Sequence, residues 1–205
     1  DFDDISVEFD SIDGQVFSYR GASYAIPLLG EHQLHNAATV LEAISVLRKQ
    51  GWDIDDEAVE SGLYSVAWPA RFEVLHTDDP WFVLDGGHNP QCAAALRECL
   101  EHYFPDSKRV ALVGVLKDKD YKSIAATLAP LFDACVCVTP PSERALPAEE
   151  LAELFKGSCR EVCVVDTVED GVDLARDIAQ EQDAMVCAFG SLYICGQIRS
   201  CFGVR

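Results

Sequence analysis

Basic residues are scarce in this chain. Its 205 residues include 16 Lys and Arg against 35 Asp and Glu, a formal net charge of −19. The deficit is general: residues 1–71 carry 13 acids and 4 bases, the remainder 22 and 12. Nucleic-acid binding needs a basic surface, so no nucleic-acid partner is expected; the acidity favours solubility. Long hydrophobic runs are missing as well. No apolar stretch approaches the ~20 residues of a membrane helix, and no secretory signal pattern opens the chain. The nine cysteines contain no C-x-x-C pair and join no His cluster, which argues against a zinc site. Cys135, Cys137, Cys163 and Cys187 lie in apolar runs, where Cys acts as a small hydrophobe; reduced thiols in a cytoplasmic protein are the expectation. Repeats, low-complexity tracts and long linkers are absent too. Residue 1 is Asp, followed by a charged strand-like segment, so the chain is expected to be a piece of something longer.

What is present is an ordinary globular composition, 49% hydrophobic and 25% charged, arranged in two unequal pieces. In residues 4–28, Ile5, Val7 and Phe9 alternate, then Phe17 and Tyr19, then the run from Tyr24 to Pro27. Asp13-Gly14 and Arg20-Gly21 punctuate them, so a small antiparallel unit is predicted. After Gly30 the period changes: Ala37, Val40, Leu41, Ile44 and Leu47 fall at helical spacing, and Gly51 ends that helix. A second helix is expected near Asp55 to Gly62. Trp68-Pro69-Ala70-Arg71 breaks the pattern and reads as a hinge. Beyond it, Phe72–Thr77 and Trp81–Leu84, joined through Asp78-Asp79-Pro80, suggest a hairpin. Strands Val110–Val115, Ala134–Val138, Val162–Val165 and Ala184–Phe189 then alternate with helices near 120–130, 147–156, 168–181 and 191–201. The fold class implied is α/β: a Rossmann-like, mostly parallel sheet with helices on both faces, preceded by a small α+β unit.

Five places carry candidate chemistry. In Val83-Leu84-Asp85-Gly86-Gly87-His88-Asn89-Pro90 an acid and an imidazole sit at the carboxyl end of a strand, and Pro90 opens a helix. Ligands bind at that edge of open α/β sheets, and helix N-termini suit anions; a plain turn in which Asp85 or Asn89 caps the helix explains the same residues. His32, Gln33 and Asn36 open the long helix, with His32 and Asn36 sharing a face, either toward a ligand or as a cap with solvated side chains. Arg71 at the hinge has the side chain suited to bidentate phosphate contact, or is a surface arginine. Lys117 and Lys119 end a buried strand and suit a carboxylate or phosphate, or form a solvated loop with Asp118 or Asp120 capping the next helix. Ser191 begins the last helix as an anion contact or an ordinary cap. In a parallel sheet the loops bearing His88, Lys117 and Ser191 open on one edge and can line one cleft.

Taken in order, GEHQLHNAATVLEA, WPARFEVL, VLDGGHNP, LVGVLKDKD, PPSERALPAEEL and FGSLYICGQIR resemble the C-terminal half of the folylpolyglutamate synthase/dihydrofolate synthase family of Mur ligases. The resemblance implies an ATP-dependent, amide-forming ligase in which a folate or dihydropteroate carboxylate becomes an acyl phosphate and L-glutamate displaces the phosphate, with ATP and Mg²⁺ required. It implies that Asn36, with His32 and Gln33, lies by the adenine, Arg71 and His88 by the phosphates and Asp85 by the ribose. Arg71 and His88 are thereby the catalytic candidates, and Ser191, with Lys117 and Lys119, the glutamate-side ones. It divides the chain into residues 1–67, the tail of a central ATPase domain, a hinge at 68–71, and residues 72–205, the glutamate ligase domain. The family's hinge more usually reads Pro-Gly-Arg, and Ala70 is expected to stiffen it. No G-x-x-x-x-G-K-[ST] phosphate loop occurs; the metal ligands belong outside this chain, which is expected not to ligate alone. The whole enzyme is expected to be a cytoplasmic monomer, while strands of residues 1–67 parted from their sheet are expected to associate between copies. Two other readings stay open: a non-catalytic nucleotide-binding or interaction module, and a Mur-type amide ligase with another acceptor.

Overall fold

The computed structural model describes residues 2–76, 78 and 80–204. The chain divides into two compact units, with the division between Pro69 and Ala70. In the first, strands β1 (Ile5–Ser11), β2 (Gly14–Tyr19) and β3 (Ala22–Ile26) form an antiparallel sheet in sequence order. Helices α1 (Glu31–Lys49) and α2 (Asp56–Tyr64) complete the unit. Phe17, Tyr19 and Ile26 of the sheet bury against Leu34, Ala37 and Ala38 of α1 and Val59 and Leu63 of α2. Asp55 caps α2 by accepting from the Ala58 N–H at 2.7 Å, which satisfies one orphan donor.

The second unit holds a six-stranded sheet in the order β4-β5-β9-β6-β7-β8. Its strands are β4 (Glu73–His76), β5 (Phe82–Asp85), β6 (Lys108–Val113), β7 (Ala134–Val138), β8 (Glu161–Val165) and β9 (Ala184–Phe189). Only the β4–β5 pair is antiparallel, the hairpin expected from sequence; Thr77 and Asp79 of that expectation lie outside the described residues. The helices are α3 (Pro90–Tyr103), α4 (Tyr121–Leu128), α5 (Ala148–Glu153), α6 (Val168–Gln182) and α7 (Leu192–Cys201).

Both sheet faces are covered, for a reason visible in the alternation of β6. Val110 and Leu112 share a cluster with Val172, Ala175 and Ile178 of α6 and Ile194 and Ile198 of α7. Arg109, on the opposite face, donates from Nη2 to the Leu100 carbonyl at 3.2 Å, at the end of α3. Thus α3 follows β5 onto one face and α7 follows β9 onto the other. Adjacent parallel strands whose helices part in this way open a crevice at their carboxyl ends.

The main differences from the sequence reading lie in β6, α4, α5 and β8. β6 starts at Lys108 and stops at Val113, because Lys108 and Arg109 pair with Ala184 and Met185 of β9 and Gly114 leaves the ladder. α4 stops at Leu128, where Pro130 allows only a 3₁₀ turn, Ala129–Leu131. α5 ends at Glu153, and the chain continues as turns. β8 is not covered on both faces: as an outer strand it leaves Val164 exposed.

Candidate functional site

The site grows from the end of β5. The Asp85 carboxylate accepts from the Gly87 N–H at 2.6 Å with Oδ1 and from the Phe72 N–H at 2.9 Å with Oδ2. It therefore ties the turn to Phe72 and caps no helix. The cap is Asn89, whose Oδ1 accepts from Cys92 N at 2.8 Å, while Pro90 takes the first helical position. His88 turns its Nδ1 to the Gly86 carbonyl at 3.0 Å. A carbonyl only accepts, so Nδ1 donates there, and Nε2 is the ring atom left to face a ligand.

Arg71 is brought to this turn. Its Nη1 donates to the Ala70 carbonyl at 3.1 Å, which also accepts from Gly86 N at 2.8 Å. The approach needs glycine: a Cβ on Gly86 would stand 2.4 Å from Leu192 Cδ2 and 3.2 Å from Arg71 Nη1. One on Gly87 would stand 2.6 Å from Asp85 Oδ1. Arg71 is flanked by two residues in the left-handed region, Ala70 at φ 55° and Phe72 at φ 44°, each costing on the order of 1–2 kcal/mol. Ala70 is thus a strained, buried alanine. Glu73 steadies it: Oε2 accepts from Ala70 N at 2.8 Å, and Oε1 pairs with Arg199 of α7.

Gly190 (φ 110°) crosses close to the end of β6, where a Cβ would meet the Gly114 carbonyl at 2.7 Å. It delivers Ser191, buried, with Oγ accepting from Tyr193 N at 3.2 Å. Ser191 is therefore the cap of α7, and its hydroxyl hydrogen remains for a second acceptor. Burial first, and the Asp85 carboxylate second, push the Cys187 thiol well up and Cys195 up to about 12, so neither serves as a thiolate nucleophile near neutral pH.

The structure thus brings together Arg71, Asp85, His88 and the Ser191–Leu192 start of α7. Lys117 points elsewhere: its N–H donates to the Arg144 carbonyl at 2.9 Å and its Nζ to the Glu143 carbonyl at 3.3 Å. The Lys119 N–H closes a turn onto Leu116, Asp118 pairs with Arg144, and Asp120 caps α4. In the first unit Gly30 precedes α1 with no side-chain cap. Gln33, buried, links His32 Nε2 at 3.1 Å and accepts from Asn36 Nδ2 at 3.0 Å, so these three form one polar array, with Asn36 exposed. Sequence reasoning passed over Glu73 and Arg199; Glu73 reads as a strand residue, and nothing local signals a partner 126 positions away.

Residues 70–192 match the Mur ligase, glutamate ligase domain family. The chain belongs to the Mur ligase family. Among Mur ligases, it is 34% identical to a dihydrofolate synthase/folylpolyglutamate synthase of Mycobacterium tuberculosis, over 94% of this chain and 44% of that protein. The structure of a Mycobacterium tuberculosis folylpolyglutamate synthase complexed with ADP and AMPPCP superposes with a TM-score of 0.84 at 32% identity, covering 98% of this chain and 48% of the other. A bifunctional folylpolyglutamate synthase/dihydrofolate synthase from Yersinia pestis, complexed with AMPPNP and Mn ion, gives 0.73 at 25% identity, covering 93% and 44%. The Mur ligase chain described here spans less than half the length of each.

Proposed function

We propose that the protein carrying this chain is an ATP-dependent ligase that joins L-glutamate to a folate or dihydropteroate acceptor through an acyl phosphate. The observation that carries the reading is Arg71 held against the glycine turn of Asp85–His88, next to the start of α7. A fixed guanidinium beside a side-chain-free stretch of backbone fits an anionic group, and the relatives' structures are complexes with adenine nucleotides.

In this reading Arg71 neutralises phosphate charge and His88, as the imidazolium, donates from Nε2 to the same group. Asp85 keeps its turn in place on the ribose side. Ser191 donates its hydroxyl hydrogen toward incoming glutamate. Asn36, His32 and Gln33 form the adenine side, and Lys117 and Lys119 are the weakest members, since Lys117 is engaged with the 143–144 carbonyls. Among the described residues no group of three or more His, Cys, Asp or Glu is placed to hold a metal; the Mg²⁺ ligands are assigned elsewhere in the protein. The division between Pro69 and Ala70 supports a hinge at 68–71 between an ATPase-domain tail and a ligase domain. Among the described residues no helix is long and apolar enough to cross a membrane. A cytoplasmic, monomeric whole enzyme is assigned on the family resemblance alone.

The test is phosphate release by the purified whole protein with each of ATP, glutamate and dihydropteroate or reduced folate omitted in turn. Release that needs all three, and that falls a hundredfold or more in His88→Ala, on the scale of losing one charge-stabilising donor, is expected. Release indifferent to glutamate or to the pterin sinks the reading, whereas ligation by residues 1–205 alone would defeat only the expectation that this stretch does not ligate by itself.

A further inference from the structure

Arg71 lies between two left-handed residues that are not glycine, and such backbone persists only where its surroundings hold it. Three contacts do so. Asp85 takes the Phe72 N–H, the Ala70 carbonyl takes the Gly86 N–H, and Glu73 takes the Ala70 N–H. The third differs in kind, because the other oxygen of Glu73 is paired with Arg199 of α7. Both side chains are largely buried, 20% and 12% exposed, so the pair is little screened by solvent. α7 is also the helix whose first residue, Leu192, lies against Gly86, the glycine that Arg71 Nη1 approaches as well. One acid therefore joins the backbone of the hinge arginine to the helix that begins at Ser191.

We propose that Glu73 and Arg199 are positioning residues for Arg71, fixing its guanidinium at the anion site and tying that position to α7. The inference rests on the ligase reading for its functional consequence, though the geometry it invokes is independent of it. Removing the charge from either partner takes a largely buried counter-charge from the other, and frees the Ala70–Phe72 backbone to relax out of the left-handed region. Arg71 is then displaced and binding of the nucleotide phosphates weakens. Glutamate affinity changes little.

The experiment is a mutant cycle in the whole ligase with Glu73→Gln, Arg199→Gln and Arg71→Ala, alone and combined, reading KM for ATP and for glutamate. Glu73→Gln and Arg199→Gln are each expected to raise the ATP KM about tenfold, the size of one charge-assisted hydrogen bond. Glutamate KM stays within twofold. In the Arg71→Ala background neither adds a further effect, and Arg199→Lys, which keeps the charge, recovers most of the loss. Effects that multiply in the Arg71→Ala background overturn the proposal, as does an unchanged ATP KM in the single variants.

Amide hydrogen exchange on the 205-residue chain separates this outcome from failure of the ligase reading. Glu73→Gln is expected to speed exchange at Phe72 and Gly86 and leave Val186, in the middle of the sheet, unchanged. Uniform acceleration across the second unit marks a merely stabilising ion pair and overturns the proposal even where folding is impaired. Should Arg71→Ala itself leave ATP binding intact, the ligase reading fails, and the exchange pattern still decides the positioning role.

Discussion

Every residue of β7 and β9 is buried, whereas β1 leaves Val7 and Phe9 more than half exposed and α1 presents Val40 and Val46 to solvent. The two units come from one chain of even apolar content, yet they use it differently. In the second, helices on both faces remove continuous runs such as Ala134–Val138 from water, at ~1.5–3 kcal/mol per large aliphatic side chain. In the first, a three-stranded sheet with two outer strands is covered by two helices, and apolar side chains are left over. The candidate residues differ likewise: Arg71, Asp85, His88 and Ser191 of the second unit are fixed by hydrogen bonds to backbone, while Asn36 of the first is exposed and held through Gln33.

The contrast is sharpest in stability. Leu84→Ala in β5 is expected to cost about 2–5 kcal/mol, as a fully buried leucine does, and Val46→Ala on α1 within ~0.5 kcal/mol; urea unfolding followed by probes in each unit measures both. Equal costs would break the comparison. Next in size is Asp85→Ala, which strands the Phe72 and Gly87 N–H groups and is expected to cost about 1–3 kcal/mol, against a few tenths for Asn36→Ala.

The units also part at alkaline pH. All nine cysteines lie in the second unit. Burial raises Cys159 from 9.0 to about 11 and Cys195 from 9.0 to about 12. The folded state holds these protons more tightly than the unfolded chain, so the stabilisation is complete below pH 9 and is lost as pH rises from 9 through 11 to 12. In the first unit the corresponding group is Tyr19, raised above 10.0 by burial and by Glu42, so its loss begins a full pH unit later. Thermal unfolding between pH 8 and 11 checks the order. The smallest effect expected is on association: Val7→Lys on β1 leaves stability within ~0.5 kcal/mol and reduces any self-association seen by sedimentation at high concentration.

Much of this was readable from residues alone, and the exceptions share a cause. The apolar runs of β7 and β9, the helix near Asp55 and a capping acid at 118 or 120 are local, and sequence reports them, although the break at Pro130 was passed over. The insertion of β9 between β5 and β6, the clasp of Asp85 on Phe72 and the pair Glu73–Arg199 are long-range, and no spacing announces them. The site was half legible for the same reason. Asn89 and Ser191 act as caps, as plain helix chemistry allows, whereas Arg71 acquires its place only when Ala70 bonds Gly86. Lys117 looked equivalent to the others by strand position, but the 143–144 carbonyls take it.

The central claim is that Arg71, pinned at the glycine turn after β5, holds the phosphates of a nucleotide. Calorimetric titration of ADP into the whole protein, comparing wild type with Arg71→Ala, tests it most directly. Binding weakened at least tenfold in the variant, with an unchanged unfolding midpoint, is the result predicted. Equal affinity in the two proteins would contradict it.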